Sequence, residues 1–194
     1  ALDKVPSILA TAARLVGSES NQSLQIVEYN QGTVLMTVST KPETQTVFFR
    51  PDGSAINHID FASPSGMAEA LSDAVAGAKQ VDQISYQPGK AIIVDTPTTT
   101  PGIVMRRTRS ADMPAWAVQR RGDASATFSP GLLNPHVIIR IMNLAAAQAH
   151  QKPSDIEWTI SQDTKLDAPV LRVDINGVTR AFNTDGTDVT DKIK

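Results

Sequence analysis

The amino-acid sequence predicts an α+β protein in which each helix is followed by antiparallel strands. Three segments that begin near residues 2, 66 and 134 place apolar side chains at helical spacing. Short runs rich in β-branched and aromatic residues follow each segment, and turn residues separate these runs. Short turns join antiparallel neighbours, because a parallel pair needs a crossover of about a dozen residues or more. We therefore expect αβββ-like units and no parallel doubly wound sheet.

The first unit begins with a helix predicted over Leu2–Val16, which Gly17 can end. Three β-rich runs follow, separated by turn residues at 30–32 and 41–43. They predict strands at Leu24–Tyr29, Thr33–Ser39 and Thr44–Arg50. Residues 54–61 fit a fourth strand.

The second unit begins with a helix predicted over Ser65–Gln80, with Ser65 as its N-cap. Strands are predicted at Ile84–Tyr86, Ala91–Asp95, Ile103–Arg109 and Ala115–Arg121. The stretch 96–102 is dominated by Thr and Pro, and this composition predicts a linker.

The third helix has the clearest start signal, with Asn134 as N-cap and Pro135 at the first helical position. It is predicted to run to His150. Its apolar residues cover most of the circumference, which predicts a largely buried helix: Val137, Ile138, Ile139, Ile141, Met142, Leu144, Ala145 and Ala146. Strands follow at Ile156–Ser161, Val170–Ile175 and Val178–Asn183, the last two joined by a hairpin turn at Asn176-Gly177.

The helix starts are spaced 64 and 68 residues apart, which is typical of a tandem repeat. The sequence Phe49-Arg50-Pro51-Asp52-Gly53 also aligns with Phe182-Asn183-Thr184-Asp185-Gly186 at the end of the third unit. We expect units at 1–63, 64–130 and 131–194, and the alternative is two lobes at 1–95 and 102–194. The αβββ order is similar in outline to small exported modules such as PepSY-type domains and tandem-repeat inhibitors of β-lactamases. That resemblance covers no motif and implies no residue role.

Composition restricts the classes of function. The chain has 194 residues with 18 basic and 20 acidic side chains, a balance that argues against nucleic-acid binding. It has no cysteine, which excludes disulfides, thiolate metal sites and a cysteine nucleophile. No apolar run approaches the ~20 residues of a membrane span, so we expect no transmembrane segment in this chain. The sequence is rich in Ser, Thr, Asn and Gln and poor in Lys, which favours an extracytoplasmic location, secreted or anchored through the precursor.

The strongest concentration of charge lies on the predicted hairpin that contains Trp116. Its members are Arg106, Arg107, Arg109, Arg120 and Arg121. Guanidinium groups bind phosphates and carboxylates, and an adjacent Trp can stack on a sugar or a base. This pattern predicts an anion-binding site for an acidic lipid, glycan or peptide. The alternative is an edge hairpin whose charges prevent pairing with other chains.

A second candidate site lies on the third helix. Its polar residues follow helical steps and share one stripe: His136, Arg140, Asn143 and His150. The stripe either lines a polar cleft or is the solvated face of a core helix.

Metal and enzyme signatures are weak or missing. His58 and Asp60 alternate on a predicted strand, but two ligands are too few for a metal site. Residues 183–188 resemble part of a calcium loop, yet the first acidic ligand and the final Glu are missing. No nucleotide-binding, zinc-protease or nucleophile-elbow motif occurs. We therefore expect no metal and no cofactor, and a non-catalytic domain that binds a protein, glycan or anionic lipid. The alternative is an enzyme with a carboxylate- or arginine-centred site.

Overall fold

The computed structural model describes residues 2–17, 21–28, 34–40, 46–124 and 126–193. It divides the chain into two compact units. Unit 1 contains Ala1–His58 and Asp112–Pro114, and unit 2 contains Ile59–Ala111 and Ala115–Lys194. The described residues form three α-helices and two sheets, one of three strands and one of seven. Every strand pair is antiparallel, which confirms the predicted α+β class.

Unit 1 contains one helix and the three-stranded sheet. Helix α1 spans Val5–Val16, and Gly17 ends it with φ 77°. Strands β1, β2 and β3 span Ser23–Glu28, Val34–Ser39 and Thr46–Phe49 and are paired in the order β1-β2-β3. A small core joins the helix to the sheet through Ile8, Ala12, Met36, Val38 and Phe49. The predicted turns at 30–32 and 41–43, and the predicted strand ends Tyr29, Thr33 and Thr44, lie outside the described residues.

The predicted fourth strand at 54–61 is wrong. Only Ala55 forms a bridge, opposite Phe49, and residues 56–60 are not in a strand. The Ile56 N–H donates to Phe48 O at 2.7 Å, so this segment turns back along the outer edge of β3. After the turn at 51–54, the segment makes one bridge and the Ile56 hydrogen bond to β3, and this contact is too short to form a strand.

Unit 2 contains helix α2 (Pro64–Val75), helix α3 (Pro135–Ala149) and the seven-stranded sheet. The N-cap of α2 is Ser63, not Ser65, and its hydroxyl accepts from the Gly66 N–H at 3.1 Å. Helix α2 ends before the predicted Gln80, because Ala76 adopts a left-handed conformation. The N-cap of α3 is confirmed: the Asn134 side chain accepts from the His136 N–H at 3.0 Å.

The strands of unit 2 form one continuous sheet. They are β4 (Gln83–Gln87), β5 (Ala91–Pro97), β6 (Ile103–Ser110), β7 (Trp116–Arg121), β8 (Trp158–Asp163), β9 (Ala168–Ile175) and β10 (Val178–Asn183). Their order is β10-β9-β8-β4-β5-β6-β7. Strands β4 and β8 join the strands that follow α2 to those that follow α3. Where composition predicts a linker at 96–102, the structure has the end of β5 and the hairpin loop to β6, because Pro97 pairs with Val104.

Helices α2 and α3 cover one face of this sheet. Alternate residues of the central strands point into the core beneath them, among them Ile84, Tyr86, Ile92, Val94, Trp158 and Ile160. The inward face of α3 is buried as expected, but Leu144 is 46% exposed, so the prediction that it belongs to the core is wrong. Residues of the same strands that point away from the helices form the second face, which we call the open face.

None of the helices in the described ranges is long and apolar enough to span a membrane.

Candidate functional site

The five arginines of the predicted anion site lie on β6 and β7 but do not share a face. Arg107 is opposite Val94, whose side chain points into the core beneath the helices. The alternation of side chains therefore places Arg107 and Arg109 on the helix side of β6 and Arg106 on the open face. On β7, Arg120 lies on the open face and Arg121 on the helix side.

Two of the arginines bind one buried carboxylate on the open face. Asp95 of β5 is 2% exposed. Arg106 donates to it through Nε at 2.9 Å and through Nη2 at 2.8 Å, and Arg120 donates through Nη2 at 2.6 Å. Asp95 is thus held by both guanidinium groups.

The pKa values around Asp95 follow from this arrangement. Burial on its own raises the pKa of a carboxyl, but the hydrogen bonds and charges of Arg106 and Arg120 outweigh it and hold the pKa of Asp95 below its ordinary value. Asp82 donates its backbone N–H to Asp95 O at 2.8 Å. Burial and the charge of Asp95 raise the pKa of Asp82, and Arg120 opposes that effect. The two arginines are thus matched by two acidic residues.

Arg109 has a structural role. Its side chain is fully buried at 0% exposure between β6 and α2. Its Nε donates to Asp73 Oδ2 at 2.9 Å, its Nη1 donates to Ser110 O, and Glu69 Oε1 lies 3.9 Å from Nη2. A guanidinium in this position ties the sheet to the helix and cannot be reached by a ligand.

Trp116 and Val118 lie on the open face beside the arginine pair. Trp116 is opposite Thr108, and Val118 is opposite Arg106. Trp116 is half-buried, and Val118 is 41% exposed on an edge strand. We call the set Arg106, Trp116, Val118 and Arg120 the sheet corner. It keeps three of the predicted site residues together and leaves out Arg107, Arg109 and Arg121.

Sequence reasoning missed the carboxylates that organise the open face. In the sequence, Asp95 is only the last residue of a predicted strand. Its arginine partners lie on other strands, so the sequence does not show that they bind it. A second cluster has the same form: Arg172 donates to Ser161 Oγ at 3.0 Å and to Asp163 Oδ2 at 2.5 Å. Only the strand register reveals these pairings, although Asp in a run of apolar strand residues is a usable signal for a buried partner.

The polar stripe of α3 is solvent-exposed along its length. His136, Arg140, Asn143 and His150 are all exposed, and no described pocket brings them together. Arg140 donates through Nη2 to Asp185 O at 2.7 Å, so it fixes the turn after β10. His150 ends the helix in a left-handed conformation with φ 56°. The geometry corresponds to a solvated face.

His58 and Asp60 are not brought together. His58 Nδ1 lies 2.5 Å from Asp112 Oδ1, and both side chains are exposed. Asp60 accepts from the Ala62 N–H in a turn. Asp185 and Asp188 likewise accept backbone N–H groups within their own turn. Among the described residues, no group of three or more His, Asp or Glu side chains is arranged to hold a metal.

The described residues of unit 2 line an open groove and a small cavity. The larger is an open groove of about 240 Å³ between α2 and the 3₁₀ turn at Pro130–Leu132. Its lining is uncharged: Ala68, Leu71, Ser72, Val75, Pro130, Gly131, Leu133 and Pro135. The smaller, beneath α3, has a volume of about 10 Å³, roughly one water molecule. Neither site is lined by a titratable side chain.

No protein-family model, curated protein or solved structure matches this chain. Its function therefore has to follow from the geometry of the described residues.

Proposed function

We propose that this chain is a non-catalytic interaction domain that binds a partner protein through the sheet corner. The observation that carries the proposal is the arrangement of Arg106 and Arg120 on one buried carboxylate, on the same face as Trp116 and Val118. Trp and Arg are the residue types that most often dominate protein interfaces.

The arginines of the sheet corner are held in place before a partner arrives. Arg106 uses Nε and Nη2 on Asp95, so among its described contacts the N–H groups of Nη1 remain for a partner. Its side chain is 32% exposed and that of Arg120 is 41% exposed. Because Asp95 already restricts both side chains, binding would cost them little rotamer entropy.

The charges favour a protein over an anionic lipid or an acidic glycan. Asp95 and Asp82 offset the two guanidinium groups, so the sheet corner has no large positive surplus to attract a polyanion. Val118 adds an exposed apolar side chain beside them. This mixture of aromatic, apolar and guanidinium groups suits a segment that offers an apolar side chain with a carbonyl or carboxylate next to it.

A binding role is also favoured over an enzymatic one. An active site normally places titratable groups in a concave pocket, whereas the open groove beside α2 and the small cavity beneath α3 are lined by none. The arginine–carboxylate pairs lie instead on a broad sheet face, and Asp95 is too buried to reach a substrate.

We also propose that the chain is a tandem repeat with units at 1–63, 64–130 and 131–194. The turns after β3 and β10 support it. Gly53 N–H donates to Arg50 O at 2.9 Å, and Gly186 N–H donates to Asn183 O at 3.0 Å; the two glycines have φ 86° and 87°.

The helices approach these two turns in the same way. A Cβ at Gly53 would lie 3.7 Å from Ile8 of α1, and a Cβ at Gly186 would lie 3.0 Å from Val137 of α3. A basic side chain also donates to the Asp carbonyl of each turn, Lys4 to Asp52 O at 2.8 Å and Arg140 to Asp185 O at 2.7 Å. An extracytoplasmic location remains part of the proposal and is supported by composition only.

Affinity capture with matched variants tests the binding role. Proteins retained on the immobilised chain are quantified for the wild type, for Trp116→Ala and for Gln119→Ala, an exposed β7 residue on the helix side. Loss of a central aromatic contact should weaken capture of the partner about 30-fold, equivalent to ~2 kcal/mol, and Gln119→Ala should have little effect.

Vesicles that contain anionic phospholipid and an acidic glycan are tested in parallel. The proposal is contradicted if Trp116→Ala retains the same proteins as the wild type. It is also contradicted if the chain binds only the vesicles or the glycan, with a strong dependence on salt. Thermal unfolding of each variant verifies that it is folded.

A further inference from the structure

The first strand after each helix is internal in the seven-stranded sheet but lies at the edge of the three-stranded sheet. Strand β4 follows α2, β8 follows α3, and these two strands pair with each other. Strand β1 follows α1, and among the described strands it pairs with β2 alone. The outer edge of β1 is therefore the counterpart of the edges that β4 and β8 bury against each other.

The other three sheet edges are covered or charged. The outer edge of β10 binds the segment after it, where Val189 N–H donates to Ala181 O at 2.8 Å. The outer edge of β3 binds residue Ile56 in the same way. The edge strand β7 ends in Arg120 and Arg121, and charge of this kind discourages strand addition.

No described strand pairs with the outer edge of β1, and its charge is confined to Glu28 at the C-terminal end. Its residues Ser23 to Val27 are uncharged and contain no proline. Ile26 is 57% exposed and Val27 is 51% exposed. An antiparallel strand turns the N–H and C=O groups of every second residue outwards, so alternate residues within Ser23–Val27 can offer hydrogen bonds to another strand.

The β4–β8 junction supplies a template for what pairs there. All three first strands carry the pattern apolar, polar, apolar: Ile84-Ser85-Tyr86, Trp158-Thr159-Ile160 and Leu24-Gln25-Ile26. In the junction, Ile84 is opposite Ile160, Ser85 is opposite Thr159, and Tyr86 is opposite Trp158. The junction is thus antiparallel and centred on the polar pair.

We propose that β1 pairs with β1 of a second copy of this chain, in the register of the β4–β8 junction. Gln25 then lies opposite Gln25 of the second copy, and Leu24 lies opposite Ile26 on both sides of the twofold axis. The two three-stranded sheets become one six-stranded sheet, and the exposed Ile26 gains an apolar cross-strand neighbour. In the same register Glu28 is opposite Gln22, so no like charges meet.

A charge exchange at the axis tests the pairing and its register. Gln25 is exposed and lies at the centre of β1, so changing it leaves the core of unit 1 intact. Sedimentation velocity is measured over a concentration series of about 1 µM to 1 mM, which covers small interfaces. The wild type is expected to form dimers as concentration rises, and Gln25→Glu and Gln25→Lys should each associate at least about tenfold more weakly, because identical charges then lie directly opposite.

Mixing the two variants should restore dimers, since the introduced carboxylate of one copy would then face the introduced ammonium group of the other. Gln119→Glu on β7 is the matched control, because it makes the same change at an exposed edge-strand residue of unit 2 opposite the uncharged Met105, and it should dimerise like the wild type. A wild type that stays monomeric throughout overturns the proposal, as does a dimer that the Gln25 variants do not weaken. A mixture that stays monomeric while the wild type dimerises overturns the register. The sheet corner is on unit 2, so capture by Trp116 is scored independently of this result.

Discussion

At the scale of single residues, Asp95 determines how the arginines of the outer hairpin are used. Without it, Arg106 and Arg120 would be two like charges on neighbouring strands. With it, they become a bidentate pair and a second donor on one carboxylate that is 2% exposed. Asp95, which carries no distinctive signal in the sequence, thus determines the contacts that Arg106 and Arg120 make.

We predict that Asp95→Asn lowers the free energy of unfolding by ~2 kcal/mol at neutral pH. The asparagine side chain has nearly the same volume as that of Asp95, but it lacks the negative charge that both guanidinium groups bind. The effect is below that of a fully buried pair, because Arg106 and Arg120 are partly exposed and can turn towards water. Urea unfolding monitored by circular dichroism measures the difference, and an unchanged midpoint would show that Asp95 contributes nothing.

The same variant has a defined pH dependence. Because the pKa of Asp95 is lowered in the folded state, its contribution to stability is complete above the unfolded value of about 4 and is lost as the pH falls through the folded value. The difference in stability between the wild type and Asp95→Asn should therefore shrink on acidification below about pH 4. A difference that is constant down to about pH 2 would contradict the assigned charge state.

At the scale of secondary-structure elements, periodicity and caps predicted the helices well, and the errors were local. Ser63 and Ser65 are both suitable N-cap residues, and the choice between them depends on Pro64 occupying the first helical position. Helix α3 was predicted to be apolar around most of its circumference, and its inner face is buried. Leu144 falls on the outer stripe with His136 and Arg140, which composition alone did not reveal.

Two leucine-sized residues of α3 therefore form a matched pair for stability. Ile141 is 2% exposed and Leu144 is 46% exposed, three residues along the same helix. Ile141→Ala should cost ~2–5 kcal/mol through lost burial and the remaining cavity. Leu144→Ala should cost less than ~1 kcal/mol, as surface changes usually do. Equal losses in urea unfolding would mean that α3 packs differently from the described structure.

At the scale of the whole molecule, the sequence predicted the α+β class and the antiparallel meanders. It did not predict that the strands after α2 and those after α3 form one sheet. The order of the strands that follow each helix is set by short turns between consecutive strands. The pairing of β4 with β8 joins segments far apart in the chain, and nothing local marks it. Local composition likewise predicted a linker at the Thr/Pro stretch 96–102. The strands on either side of it, β5 and β6, are hydrogen-bonded neighbours.

The proposed sheet corner shares Arg106, Trp116 and Arg120 with the anion site predicted from the sequence. The cluster of arginines in the sequence predicted a site on β6 and β7. Trp116, Arg106 and Arg120 lie on one face there. Alternation along the strands already implied that the five arginines would divide between two faces. Their partners Asp95 and Asp73 belong to other elements, so the sequence could not show which arginines are engaged.

The central claim is that the open face at the sheet corner binds a protein, and site-specific photocrosslinking from adjacent residues of β7 tests it most directly. A photoreactive side chain is placed at Val118, on the open face, or at Gln119, on the helix side, and the protein is irradiated in an extract of the cells that produce it. Neighbouring positions on one strand differ only in the face they report. The account predicts a discrete crosslinked partner from position 118 that Trp116→Ala abolishes, and no such product from position 119. Equal products from both positions, or a product from 119 alone, would contradict it.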